Sequence, residues 1–129
     1  MINLKTLFLF LFFGLTFFKS IYSKDIPIGH LVDFTGPTSS VGKPYGMGFI
    51  DAIKYINENG GIKGKKIRVD TVDYSYKAPR AVATYKRFKS RLKIIAVIGW
   101  GTADTEALME TVARDKIPFY SGSYAGQLL

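Results

Sequence analysis

The sequence predicts an α/β fold, a parallel sheet with helices on both faces. Three observations carry that prediction. Short strand-like runs alternate with segments that are apolar at helical spacing, in the order β-α-β-α-β-α-β. The connections between them are short, which implies right-handed crossovers between parallel strands. The run Ile94-Ile95-Ala96-Val97-Ile98 is apolar and mostly β-branched, as a strand buried on both faces is.

Taken in order, Ile26 to Val32 reads as the first strand, with Pro27 near its start where strands tolerate it. Asp33 to Gly42 is a polar loop punctuated by glycine. Pro44 suits the first turn of a helix, and Phe49, Ile53 and Ile56 form its apolar stripe. Asn59-Gly60-Gly61 is a strong helix stop, because glycine takes the left-handed backbone that ends helices. Lys66 to Asp73 alternates polar and apolar residues, which fits a strand near an edge of the sheet. Tyr74 to Ala78 is a loop. Pro79 opens a second helix with Val82, Tyr85 and Phe88 on one side. The third strand follows, then the tight turn Gly99-Trp100-Gly101 and a helix from about Thr102 to Arg114. Ile117 to Ser121 is a short fourth strand, Gly122 to Gly126 another polar loop, and Gln127-Leu128-Leu129 the start of a further helix.

The first residues read as an export signal rather than as part of the fold. Lys5 is followed by an apolar run from Leu7 to Phe18, and Ser23 is a small residue at a plausible cleavage point. The run is shorter than the roughly 20 residues a membrane-spanning helix needs. Residues 1–23 are therefore expected to be a secretory signal peptide. Residues 24–129 are then the folded domain, with no stable membrane insertion after cleavage. The chain has no cysteine, which excludes a lipoprotein anchor, disulfides and thiol chemistry. Cleavage lowers the formal charge from +8 to +6. The basic residues around Lys86-Arg87 and Lys89 fall on a helix whose other face is apolar. A solvated face, not nucleic-acid binding, is the expectation.

Motifs for catalysis fail on their own requirements. Gly36 to Pro44 has one residue too many for a phosphate loop and a proline where Mg²⁺ needs a hydroxyl. Gly99-Trp100-Gly101-Thr102-Ala103-Asp104 starts like a dinucleotide fingerprint, but Asp104 replaces the third glycine and would repel a pyrophosphate. Gly122-Ser123-Tyr124 is not a nucleophile elbow, and no His/Cys cluster offers a zinc site. The only histidine, His30, lies inside the first strand, where a structural role is the simpler of two and general-base chemistry the other. The expectation is a non-catalytic protein with no cofactor and no metal.

What remains is a binding rim. In a doubly wound sheet, ligands sit beyond the carboxyl ends of the strands, where free amides at helix N-termini favour an anion such as a carboxylate. Three loops meet that description: Asp33–Gly42, Gly99–Thr105 and Ser121–Gly126. Trp100 either stacks on a ligand or packs as a lid over the sheet edge. Thr102 and Thr105 either donate hydroxyls to a carboxylate or cap the helix, and one atom can do both. Asp104 is most simply a cap, with a salt link to a ligand ammonium as the second reading. Ser121 and Ser123 are turn formers or ligand contacts, and Tyr124 lines the mouth of the site or is merely exposed.

Several stretches resemble the leucine-binding-protein family, the periplasmic solute receptors of branched-chain amino acid ABC transporters. They are Asp33-Phe34-Thr35-Gly36-Pro37, Gly42, and Ile56-Asn57-Glu58-Asn59-Gly60-Gly61-Ile62-Lys63-Gly64-Lys65-Lys66-Ile67. Val72-Asp73 with Pro79-Arg80-Ala81-Val82, Ile98-Gly99, and Ile117-Pro118 with Ser121 continue the likeness. The resemblance implies a two-lobed periplasmic binding protein of type I that closes on a ligand. This chain would cover only the first part of the N-terminal lobe, truncated before the second. It implies that the Trp100–Thr105 loop (Trp100, Gly101, Thr102, Ala103, Asp104, Thr105) and the Ser121–Ala125 loop (Ser121, Ser123, Tyr124, Ala125) hold an α-carboxylate, with Val41 near the ligand side chain. It implies periplasmic localisation and an ABC transporter permease in the inner membrane as partner. The ligand would be an amino acid or a related small organic solute. The same fold also serves as the ligand-binding sensor domain of signalling receptors, the alternative reading.

Overall fold

A computed structural model describes residues 25–125. The expected signal peptide, Gly126 and the helix expected from Gln127 lie outside those residues. Four strands, β1 (Ile26–Val32), β2 (Ile67–Asp73), β3 (Ala96–Ile98) and β4 (Phe119–Tyr120), form one parallel sheet in the order β2-β1-β3-β4. Three helices connect them: α1 (Ser39–Glu58), α2 (Ala78–Arg87) and α3 (Thr102–Asp115). A π-helical turn, Phe88–Leu92, extends α2.

Strand β1 dictates which helix goes where, because its side chains alternate between the faces. His30 stacks against Phe49 of α1 at 4.5 Å between ring centroids. Val32 points the same way. A Cβ built on Gly46 of α1 would lie 2.4 Å from its Cγ2, so helix and strand approach as closely as glycine permits. Leu31 points to the opposite face and joins Val97, Tyr85, Phe88, Leu108 and Val112, all buried, in the core beneath α2 and α3. Helices thus cover both faces, as the alternation requires. The apolar stripe expected on α2 is real in Tyr85 and Phe88, while Val82 is half-buried. Lys86, Arg87, Lys89 and Arg91 remain exposed, and Arg87 pairs with Asp70 at 3.1 Å on the surface.

Three boundaries differ from the sequence reading, the first being β3, which is only Ala96–Ile98 and leaves Ile95 exposed before it rather than buried on both faces. Helix α1 begins at Ser39, so Pro44 lies inside it and the preceding loop is only Asp33–Thr38. The cause is Asp33. Its buried carboxylate accepts the amides of Gly36 and Thr38 and the Thr38 hydroxyl, which closes the loop early and starts the helix. Strand β4 is limited to Phe119–Tyr120.

The Asn57–Lys65 segment is a structural clamp. Asn57 Nδ2 donates to the Ile67 carbonyl at 2.8 Å, and Asn57 Oδ1 accepts the Ile67 amide at 2.7 Å. One side chain thereby ties the end of α1 to the start of β2. Gly60, Gly61, Lys63 and Gly64 all take positive φ, and Ile62 and Lys65 exchange backbone bonds across the turn. Strand β2 is an edge strand, as its alternation indicates.

Candidate functional site

The strand order sets where a ligand can sit. The chain leaves β1 for β2 on one side, then crosses back over β1 to reach β3. The loops after β1 and β3 therefore diverge, and the crevice between them is the topological switch point of the sheet. An open cleft of about 570 Å³ lies there, lined from four loops.

The loop after β1 brings Thr38 to the cleft, and the first turn of α1 brings Val41. The loop after β2 is tied to it through Asp73. That carboxylate accepts the Phe34 amide at 3.1 Å, the Thr35 hydroxyl at 2.6 Å and the Ser75 amide at 2.9 Å. Burial acts to raise the Asp73 carboxyl, but these donors and Arg80 outweigh it and hold the group below the usual carboxylate range. The tie delivers Tyr76, at φ 57°, into the lining against Gly101.

The loop after β3 is organised by Asp104, which is buried. Its Oδ1 accepts the Tyr74 hydroxyl at 2.6 Å and the Gly101 amide at 2.8 Å, and its Oδ2 accepts the Trp100 amide at 2.9 Å. A third-position acid bonding back to amides at the start of its own helix is half of a capping box. Burial pushes the Asp104 carboxyl above the ordinary range while those three donors pull it down. The loop can hold this shape only with glycine at 99: a Cβ there would lie 2.4 Å from Asp104 Oδ2. Trp100 lines the cleft with Gly101 and Thr102. Its indole N–H donates to Thr38 Oγ1 at 2.8 Å, and Tyr45 packs against its ring at 5.0 Å.

From the loop after β4, Gly122, Ser123, Tyr124 and Ala125 complete the lining. Hydroxyls link the two right-hand loops. Thr102 Oγ1 bonds Ser123 Oγ at 3.0 Å, and Thr105 Oγ1 donates to the Gly101 carbonyl at 2.7 Å and meets Ser121 Oγ. Ser121 Oγ also accepts the Ser123 amide at 3.0 Å.

Of the residues expected at the site, Val41, Trp100, Gly101, Thr102, Ser123, Tyr124 and Ala125 therefore meet around one cleft. Ala103, Asp104, Thr105 and Ser121 do not line it. Asp104 caps α3, and Thr105 with Ser121 braces the loops from behind. Thr38, Tyr76 and Gly122 were missed. Tyr76 could have been found, since in a parallel sheet the loop after β2 must end on the same rim as the others.

Helix α3 starts at this rim. Its early amides have no intrahelical acceptor by construction. Asp104 takes the amides of Trp100 and Gly101, the two residues just before the helix. Among the described residues, no acceptor takes the amides of Thr102 and Ala103. Among the described residues, no charged side chain lines the cleft. The arrangement can accept a small anion at the helix start, beside hydroxyls, with apolar and aromatic surface around it.

Comparison with known proteins places this geometry in context. The profile of a family described as periplasmic binding protein matches residues 25–128. An amino acid binding protein of Pseudomonas aeruginosa is 37% identical over 75 residues, covering 58% of this chain and 20% of the relative. The chain thus spans about a fifth of the length of that curated relative. An ABC transporter substrate-binding protein of Aeropyrum pernix superposes with a TM-score of 0.76 at 46% identity, over 81% of this chain and 28% of the other. The branched-chain amino acid transporter substrate-binding protein LivJ of Streptococcus pneumoniae, solved in complex with isoleucine, gives 0.72 at 28% identity, over 78% and 29%.

Proposed function

The chain belongs to the periplasmic binding protein family, and on that premise we propose that its cleft holds the carboxylate end of a small organic solute, an amino acid in the first instance. One observation carries the reading. Among the described residues no acceptor takes the amides of Thr102 and Ala103 at the start of α3, and Thr102 and Ser123, whose hydroxyls bond each other, line the cleft beside that helix start. Amides at a helix start and neutral hydroxyls suit a carboxylate, because donors aligned with the helix dipole stabilise negative charge.

The protein acts as the extracytoplasmic substrate-binding component of an ABC transporter, handing its ligand to a permease in the inner membrane, without catalysis. Residues 1–23 direct export to the periplasm and are removed. Relatives described as amino acid binding protein and as ABC transporter substrate-binding protein support that role. Among the described residues, no helix is long and apolar enough to cross a membrane. Because the chain spans so small a share of its relatives, the cleft supplies one wall of the ligand site.

Calorimetric titration of the full chain with leucine and with leucinamide tests the reading. The amide lacks the negative charge, so it should bind at least tenfold more weakly, on the scale of one charge-assisted hydrogen bond. Thr102→Val should weaken leucine by a similar factor. Equal affinity for acid and amide would overturn the assignment of the anion to this rim.

A further inference from the structure

The cleft has a second end, and its chemistry is specific. Resting on the reading that a carboxylate sits at the start of α3, we propose that the ligand's other end is a flat, uncharged ring, and that Trp100 is the residue that selects it. The geometry carries this in three steps.

First, among the described residues this wall of the cleft offers no partner to a charged group. Two acids of the loops that form the cleft are both buried and both occupied. Asp33 accepts from Gly36 and Thr38, and Asp104 from Tyr74, Trp100 and Gly101. Neither can pair with a cationic side chain without giving up bonds that shape its own loop. Among the described residues, no lysine or arginine lines the cleft to meet an anionic one.

Second, the wall is aromatic. Among the described residues, Trp100, Tyr76 and Tyr124 line the cleft, against one branched aliphatic residue, Val41. An aromatic pair in offset or edge-to-face contact contributes beyond the area it buries, which a branched alkyl group of similar size does not.

Third, the indole is held in place. Its N–H donates to Thr38 Oγ1, and the Thr38 hydroxyl in turn donates to the buried carboxylate of Asp33. This chain leaves the Thr38 oxygen as an acceptor, so the bond to the indole has a fixed direction. Tyr45, which does not line the cleft, packs against the ring. A surface tryptophan would lose rotamer freedom on binding a ligand; this one has already lost it, which favours a partner with one flat face. Trp100 thus touches the ligand, and Thr38 acts through it as a positioning residue.

The test is competitive titration of the full chain with phenylalanine, leucine, lysine and glutamate, read by calorimetry. All four share the same carboxylate end. Phenylalanine should bind roughly tenfold more tightly than leucine, the scale of an aromatic pair, and lysine and glutamate more weakly than either. In Trp100→Leu the preference for phenylalanine over leucine should vanish while leucine still binds. In Thr38→Val, which keeps the indole and loses its hydrogen bond, the preference should shrink several-fold, with circular dichroism unchanged from the parent. Leucine binding as tightly as phenylalanine in the parent would overturn the proposal and leave the carboxylate reading standing. So would an unchanged preference in Trp100→Leu. Failure of all four to bind would overturn both.

Discussion

His30 shows what a single buried group costs and constrains. Its ring is fully buried, Nδ1 meets Thr71 Oγ1 at 3.1 Å, and Nε2 has no partner among the described residues. Burial lowers its pKa from 6.5 to about 4. The folded protein therefore binds this proton less readily than the unfolded chain does. Stability from the neutral ring is complete above the unfolded value and is lost as pH falls from about 6.5 towards 4. Because His30 is the only histidine, its own share of the change between about pH 7 and pH 5 should be a loss on the order of 2 kcal/mol, opposed by whatever proton the raised Asp104 carboxyl takes up. Urea unfolding at the two pH values measures it, and His30→Gln should flatten the dependence. The structural role of His30 was legible from its place in a strand. The roles of Asp33 and Asp104 were legible only in part, since Asp104 reads as a cap but its bond to Tyr74 joins residues 30 apart along the chain. Nothing in a linear reading says which way such a carboxylate turns.

At the scale of elements, helix α1 and strand β1 are fitted through glycine. A Cβ on Gly46 would lie 2.4 Å from Val32 Cγ2, and one on Gly42 would lie 2.3 Å from the Asp33 carbonyl oxygen. Gly48, two residues on, faces open space. Gly46→Ala should therefore destabilise by about 1–3 kcal/mol through overpacking. Gly48→Ala should stabilise by up to about 1 kcal/mol through helix propensity alone. Denaturant melts of the two variants give the contrast, and equal shifts would contradict the close packing of α1 on β1. Strand β1 was legible to the residue because its apolar run ends cleanly at Asp33. The start of α1 was not. Proline at 44 is a local signal for a first turn, whereas the observed start at Ser39 depends on side-chain bonds within the Asp33 loop. The π-helical turn after α2 likewise has no local signature; it ends at Lys93 in the left-handed conformation, just before the chain enters β3.

For the whole molecule, the alternation of strands and helices was enough to give a parallel sheet, and the switch point followed from its order. The rim of loops could be named from sequence because parallel strands send all their carboxyl ends one way. Which residues on that rim look into the cleft could not, since Thr105 and Ser121 differ from Thr102 and Ser123 only in how the loops fold over one another. The faces of the sheet are unequally covered. Among the described residues, two helices pack on one side and α1 covers the other, where Tyr120 is 63% exposed. The cleft, too, is open, with Tyr124 95% exposed at its edge. Both features fit a chain that spans about a fifth of its curated relatives.

The account rests on an anion seated at the start of α3. Backbone amide shifts of the ¹⁵N-labelled chain, followed as leucine is added, address that directly. The account predicts that the amides of Thr102, Ala103 and Ser123 move together and saturate. They should do so while the basic hollow between α2 and α3, around Lys86, Lys89 and Arg114, stays silent. Saturating shifts in that hollow, with Thr102 and Ala103 unmoved, would contradict it.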